Sequence, residues 1–235
     1  MLIRSIIFYI LLSLWTIFIG IICTPYLLLS RDNLRLPACI WIKGIFKLLK
    51  IICNITYEIK GMDKIPNKAV IVASKHQSAF ETFALFLHIK NSIFIHKKQL
   101  FYIPIFGQYL KKYNMISINR SEGTAAMRKI LQQTKQKLSK GYSIIIFPEG
   151  TRKQPGDLPD YKTGIYGIYK ETQVEILPVA VNSGFCWPKN TFLKYPGHII
   201  IKFLDTIPPK LDRLELLSKI EKVIETETKK ISNLN

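Results

Sequence analysis

Five positions separate His76 from Glu81 in the run Ser74-Lys75-His76-Gln77-Ser78-Ala79-Phe80-Glu81-Thr82. Imidazole is the side chain that takes up and returns protons most readily near neutrality. A carboxylate on one ring nitrogen fixes the tautomer and leaves the other nitrogen free to act as a general base. The apolar run Ala69-Val70-Ile71-Val72-Ala73 predicts a buried strand that delivers His76 to the end of a sheet. A helix is expected to start near Ser78 as its N-cap, with Glu81 in the first turn. The plain alternative is a structural His–Glu hydrogen bond at a strand–helix junction.

A second group, Phe147-Pro148-Glu149-Gly150-Thr151-Arg152, follows the apolar run Ile144-Ile145-Ile146. Ligands of open α/β sheets gather outside the carboxyl ends of strands. Gly150 permits close backbone approach, while Glu149, Thr151 and Arg152 bring together an acceptor, a hydroxyl and a guanidinium. The guanidinium fork suits bidentate phosphate binding. Taken alone, the string also fits a turn with a solvated salt bridge. Lys97-Lys98, Ile118-Asn119-Arg120 and Leu177-Pro178-Val179-Ala180-Val181 each carry little by themselves.

These groups need a scaffold. From Ile55 onward short apolar runs alternate with amphipathic stretches, as in an α/β sheet flanked by helices. Strands are predicted at Ala69–Ala73, Ser92–Ile95, Met115–Ile118, Ser143–Phe147, Glu175–Val181 and His198–Leu204. Met127, Ile130, Leu131, Thr134 and Leu138 keep helical spacing, with Gly141 closing that helix. Leu211, Leu214, Leu217, Ile220 and Ile224 mark a last amphipathic helix.

The N-terminal part reads as a membrane device. Between Arg4 and Arg31 no charged residue occurs, and about twenty apolar residues suffice to cross the hydrocarbon. Ile21-Ile22-Cys23-Thr24-Pro25 lacks the small residues of a signal-peptide cleavage site, and Pro25 should kink or end the helix. A spanning helix and a re-entrant hairpin both fit. From Leu36 to Ile52, Lys43, Lys47 and Lys50 share one helical face, with Trp41, Ile45, Leu48, Leu49 and Ile52 around the rest. Such a helix is expected in the interface, its lysines at headgroups and its apolar body among acyl chains. The basic residues that follow the first segment, Arg31 and Arg35 included, place the large domain on the cytoplasmic side of the cell membrane. The expected organisation is a membrane anchor over residues 1–54 and a catalytic domain over 55–235.

Composition narrows the partners. Thirty-four Lys and Arg against sixteen Asp and Glu leave a net charge of +18, which favours anionic partners such as anionic lipid or phosphorylated substrates. Aromatic residues do not interleave with the basic ones as in a nucleic-acid groove, so no nucleic-acid partner is expected. The absence of G-x-S-x-G argues against a serine esterase. Cys23, Cys39, Cys53 and Cys186 form no C-x-x-C pair and no Cys/His set has ligand spacing, so reduced thiols and no metal are expected.

Order and spacing unite the fragments. The chain resembles the lysophospholipid (glycerolipid) acyltransferase family, most closely its bacterial 1-acyl-sn-glycerol-3-phosphate acyltransferases. That family carries an H-x4-D block, a block ending in a basic residue after a strand, an F-P-E-G-T-R block and a hydrophobic Pro-Val block. His76 with Glu81, Ile116–Arg120, Phe147–Arg152 and Leu177–Val181 stand in those places and in that order. Two departures occur: Glu81 where Asp is usual, and Asn119 before Arg120 where Asp is common.

The resemblance implies a glycerolipid acyltransferase-like fold with a largely parallel, mixed sheet. It implies transfer of a fatty acyl group from acyl-CoA or acyl-carrier protein to the sn-2 hydroxyl of lysophosphatidic acid, giving phosphatidic acid. His76 and Glu81 would be the catalytic pair. Arg152, Arg120 and Lys97 or Lys98 would hold the substrate phosphate, and Glu149, Gly150 and Thr151 would shape the glycerol site. A thioester is already activated, so no cofactor is implied beyond this co-substrate. Another lysolipid acceptor fits the same blocks, and the basic charge leaves a non-catalytic membrane- or polyanion-binding module as the alternative outside enzymes.

Overall fold

The computed structural model describes residues 1–119 and 123–233. Its centre is a seven-stranded sheet in the order β1-β7-β6-β2-β5-β3-β4. The strands are β1 (Ile55–Lys60), β2 (Ile71–Ser74), β3 (Ser92–Lys97), β4 (Ile116–Ile118), β5 (Ser143–Ile146), β6 (Ile176–Val181) and β7 (Gly197–Phe203). Every residue of β2 and β6 is buried. Continuous apolar runs of this kind belong to parallel strands covered on both faces. β2 lies between β5 and β6, parallel to both, and β3 runs parallel to β5 and β4. β7 pairs antiparallel with β6, and β1 pairs parallel with β7.

Crossover helices connect the parallel strands, as that pairing requires. They are α3 (Phe80–His88), α4 (Phe106–Lys112), α5 (Gly123–Ser139) and α6 (Gly164–Thr172). The C-terminal helix α7 (Arg213–Ser232) begins with a capping box between Asp212 and Glu215. Caps of this type stabilise a helix by about 1 kcal/mol. The inward face of α7 is Leu216, Ile220, Ile224, Thr228 and Ile231, whereas Leu214 is 78% exposed. The predicted apolar stripe was therefore set on the wrong phase at its start.

Six predicted strands are present with shifts of a residue or two at their ends; β1 is additional. Among the described residues it pairs only with β7, and it carries Thr56, Tyr57 and Glu58, so no apolar run announces it. Chain order alone could not reveal an edge strand that closes on the last strand of the sheet.

Two N-terminal helices, α1 (Leu2–Ile22) and α2 (Arg35–Cys53), lie against this domain. The turn containing Pro25 follows the end of α1. Trp15 donates its indole N–H to the Trp41 carbonyl at 3.0 Å, and the Trp41 indole donates to Thr16 Oγ1 at 3.0 Å. Gly44 makes this contact possible, since a Cβ there would lie 2.2 Å from the Trp15 ring. Lys43, Lys47 and Lys50 are exposed as expected. Ile45 and Leu49, expected among acyl chains, are instead buried in the protein core, and Phe46 stacks on Phe80 at 4.5 Å. The helix spends its most apolar face on the domain and leaves Leu36, Ile40 and Ile51 outside.

The opposite holds for α1. Phe8 is fully buried, but Ile3, Ile7, Ile10, Leu14, Ile17 and Ile21 form an open apolar row at helical spacing. Such a continuous apolar surface marks a membrane or protein contact. Among the described residues α1 is the one helix long and apolar enough to cross a membrane.

Candidate active site

All strands from β6 to β4 run the same way, so their carboxyl ends share one edge of the sheet. His76 follows β2, the Phe147–Arg152 segment follows β5, Lys97 ends β3, and Asn182-Ser183 follows β6. Parallel pairing thus gathers residues more than a hundred positions apart along the chain.

His76 Nδ1 lies 2.8 Å from Glu81 Oε1. Glu81 is completely buried. The same Oε1 accepts the backbone N–H groups of Gln77 at 2.8 Å and Ser78 at 2.7 Å. Oε2 accepts the hydroxyls of Ser78 and Ser183, each at 2.7 Å. Burial opposes ionisation of Glu81, but the hydrogen bond and charge of His76, with the Ser183 and Ser78 hydroxyls, outweigh it and hold the carboxyl below its ordinary range. An ionised carboxylate only accepts, so Nδ1 carries a proton, and in the neutral imidazole Nε2 keeps the lone pair. The longer side chain of Glu relative to Asp loses no contact with the imidazole.

The helix start differs slightly from expectation. Ala79 is the N-cap of α3, and Ser78 instead accepts the Phe80 N–H on its hydroxyl at 2.9 Å while donating to Glu81. Glu81 stands in the first turn, where the helix dipole favours its negative charge. The His76 ring stacks on Phe147 at 3.8 Å with 16° between planes, which fixes the ring from the face as Glu81 does from the edge.

Glu149 has a different place from the one the sequence suggests. Its side chain is inaccessible to solvent; Oε1 accepts the His76 N–H and Oε2 the Lys75 ammonium, each at 3.1 Å. Burial raises its carboxyl, with the Lys75 charge pulling the other way. A carboxylate so enclosed holds the loop of His76 through its backbone and presents no oxygen to solvent. Gly150 adopts a left-handed conformation, φ 67°, and donates its N–H to the Phe147 carbonyl, which turns the chain outward. Thr151 and Arg152 are exposed on that turn.

Lys97 and Lys98 are exposed at the end of β3, two strands or about 10 Å from β2. Arg120 lies outside the described residues. His88 and His96 are held below the ordinary imidazole range by burial, and His198 bonds Thr56 at 2.8 Å; none approaches the site in sequence block or contact. All four cysteines are free, and burial pushes the Cys186 thiol up to about 11. Among the described residues no three His, Cys, Asp or Glu side chains come together as a metal requires.

Lys75, Gln77, Phe147 and Ser183 also build the site, and residue spacing does not single them out; Ser78, expected as an N-cap, joins them. Ser78 and Phe147 lie within the recognised blocks; Ser183 offers no local signal. Gln77 accepts the Gly184 N–H on Oε1 at 3.0 Å, tying the β2 and β6 loops together.

A cavity of about 140 Å³ lies between α1, α2, α3 and α4. Ile19, Trp41, Phe83, Phe86, Phe94 and Phe106 are among its apolar lining. Phe94 stacks at 6.3 Å on Phe147, so the cavity wall is two ring contacts from the imidazole.

An oriented base at the open edge of an α/β sheet, next to an apolar cavity, equips an enzyme to activate a hydroxyl for group transfer. The chain belongs to the acyltransferase family, whose pattern matches residues 56–182. It is 34% identical over 199 residues to the 1-acyl-sn-glycerol-3-phosphate acyltransferase of Pseudomonas aeruginosa, covering 84% of this chain and 77% of that one. The enzyme of the same name from Cocos nucifera is 32% identical over 63% of this chain and 49% of its own length. In fold, the crystal structure of the 1-acyl-sn-glycerophosphate acyltransferase PlsC from Thermotoga maritima matches with a TM-score of 0.81 at 23% identity, over 98% of this chain and 95% of that one.

Proposed function

We propose that this acyltransferase moves a fatty acyl group from acyl-CoA or acyl-carrier protein to the sn-2 hydroxyl of 1-acyl-sn-glycerol-3-phosphate, forming phosphatidic acid. The observation that carries the reading is the His76–Glu81 pair, with Nδ1 engaged at 2.8 Å and Nε2 left to an incoming hydroxyl. The acceptor oxygen attacks the thioester carbonyl as its proton passes to Nε2. Glu81 stabilises the imidazolium through Nδ1–H, the role the carboxylate has in a Ser-His-Asp triad. Collapse of the tetrahedral intermediate breaks the C–S bond, and the imidazolium proton goes to the departing thiolate. Diacylated phosphate and free thiol are the products, and the histidine is returned to its starting state.

General-base assistance of this kind contributes about 10²–10⁴-fold, or about 3–5 kcal/mol. Arg152 is the first candidate for the acceptor phosphate, with Lys97 or Lys98 at the end of β3, and Arg120, as the further candidates. Thr151, exposed next to Arg152, is the candidate for contact with the glycerol part. The apolar cavity suits an acyl chain, which gains about 0.8 kcal/mol for each buried methylene. The open row on α1 supports a membrane-bound protein, with the lysines of α2 toward headgroups, and the basic residues after α1 favour a catalytic domain on the cytoplasmic face. The reaction needs no cofactor other than the thioester.

Purified protein supplied with lysophosphatidic acid and either acyl-CoA or acyl-carrier protein should form phosphatidic acid, followed by release of thiol. Lack of product with both donors, or equal turnover of lysolipids without the phosphate, would overturn the assignment.

A further inference from the structure

Behind His76 runs a chain of three groups, Glu149, Lys75 and Glu225, that ends on α7, outside the family-matched segment, where Tyr161 joins it. Glu149 Oε1 holds the His76 N–H at 3.1 Å, and Oε2 holds Lys75 Nζ at 3.1 Å. The same ammonium makes a shorter bond, 2.7 Å, to Glu225 Oε1. The Tyr161 hydroxyl donates to that Glu225 oxygen at 2.9 Å. Side-chain exposure falls inward, from 27% at Glu225 to 4% at Lys75 and none at Glu149. Ile224 and Thr228 are buried on α7, which leaves Glu225 at the margin of the inward face.

The geometry explains why a third charge is present. One buried ammonium and one buried carboxylate would satisfy each other, and an isolated Lys75 would be free to settle over both oxygens of Glu149. Oε1 would then be shared between Lys75 and the His76 N–H. Glu225 draws the ammonium to its own side with the shorter bond, so Glu149 keeps Oε1 for the backbone of His76. Tyr161 fixes the Glu225 oxygen in turn; burial and the nearby carboxylates push its phenol far up, so it remains a donor.

We propose that Glu225 is a positioning residue for acyl transfer, acting through Lys75 and Glu149 on the backbone N–H of His76. It touches no reacting atom, and the inference rests on the functional reading above.

The test uses the full chain with Glu225→Ala, Glu225→Gln, Tyr161→Phe and the Glu225→Ala/Tyr161→Phe double variant. Glu225→Ala should lower kcat by about five- to tenfold, with both KM values within about twofold of the parent. Glu225→Gln, which keeps an oxygen for Lys75, should recover most of the loss. The double variant should fall no further than Glu225→Ala alone, because Tyr161 acts through the same oxygen. The resting protein gives a second readout: the imidazole nitrogen resonances of His76 should shift in Glu225→Ala while those of His198 hold still. An unchanged kcat in folded Glu225→Ala, or an unmoved His76 signal, overturns the proposal. If Glu225→Ala does not fold, Tyr161→Phe carries the same two readouts. A parent chain that acylates nothing defeats the functional reading alone, since the resonance still decides the role of Glu225.

Discussion

Ser183 donates its hydroxyl to Glu81 Oε2 at 2.7 Å across 102 positions of chain. The loop after β6 thereby completes the coordination of a carboxylate that sits in the helix after β2. Ser183→Ala should remove one of two hydroxyl donors from a buried charge. A lost bond of this type costs about 1–3 kcal/mol. The melting temperature should fall and kcat should drop by about three- to tenfold with little change in KM. Equal kcat in parent and variant would show that the remaining donors hold Glu81 unaided.

His76→Ala removes the base and keeps the scaffold. Turnover should fall by about 10²–10⁴-fold, while circular dichroism and vesicle co-sedimentation stay at parent values. Residual acylation near the parent rate would transfer the base to another group.

Acid stability reports on Glu81. Burial works against its charge, but His76 and the two serine hydroxyls prevail, so its folded pKa lies below the unfolded one. The unfolded chain therefore takes up the proton at higher pH. The contribution is complete above the unfolded carboxylate value of about 4.3 and is lost as pH falls through the folded value. In Glu81→Gln this component is absent, so the variant should lose less melting temperature than the parent between about pH 6 and about pH 3, each compared with its own value at neutrality. Parallel calorimetric curves would mean that Glu81 is not held as an anion.

Arg152 projects from the turn after Gly150 and is exposed. Arg152→Ala should raise the KM for lysophosphatidic acid by about tenfold or more, the size of a charge-assisted hydrogen bond, and leave the KM for the thioester nearly unchanged. A rise confined to the thioester would move this arginine to the donor side.

Much of this site was legible because its signals are local. His76 and Glu81 lie within one strand–helix junction, and the Phe147–Arg152 block follows an apolar run that can only be a buried strand. The burial of Glu149 was not legible: a carboxylate in a glycine turn looks solvent-facing until Lys75, from a different strand end, comes to meet it. The same applies to Ile45 and Leu49, whose apolar faces suit lipid and protein equally. The direction each face takes depends on Phe80, Trp15 and the sheet already being in place.

By itself, the sequence determined six of the seven strands, the apolar N-terminal helix and the order of the chemical blocks, because hydrophobic periodicity and backbone propensity act over a few residues. Tertiary structure alone decided which strand ends share an edge, that β1 closes on β7, and that Ser183, Lys75 and Glu225 support His76. Those contacts depend on strand pairing and on the burial of charge, which are settled between segments far apart in the chain and leave no imprint on either segment alone.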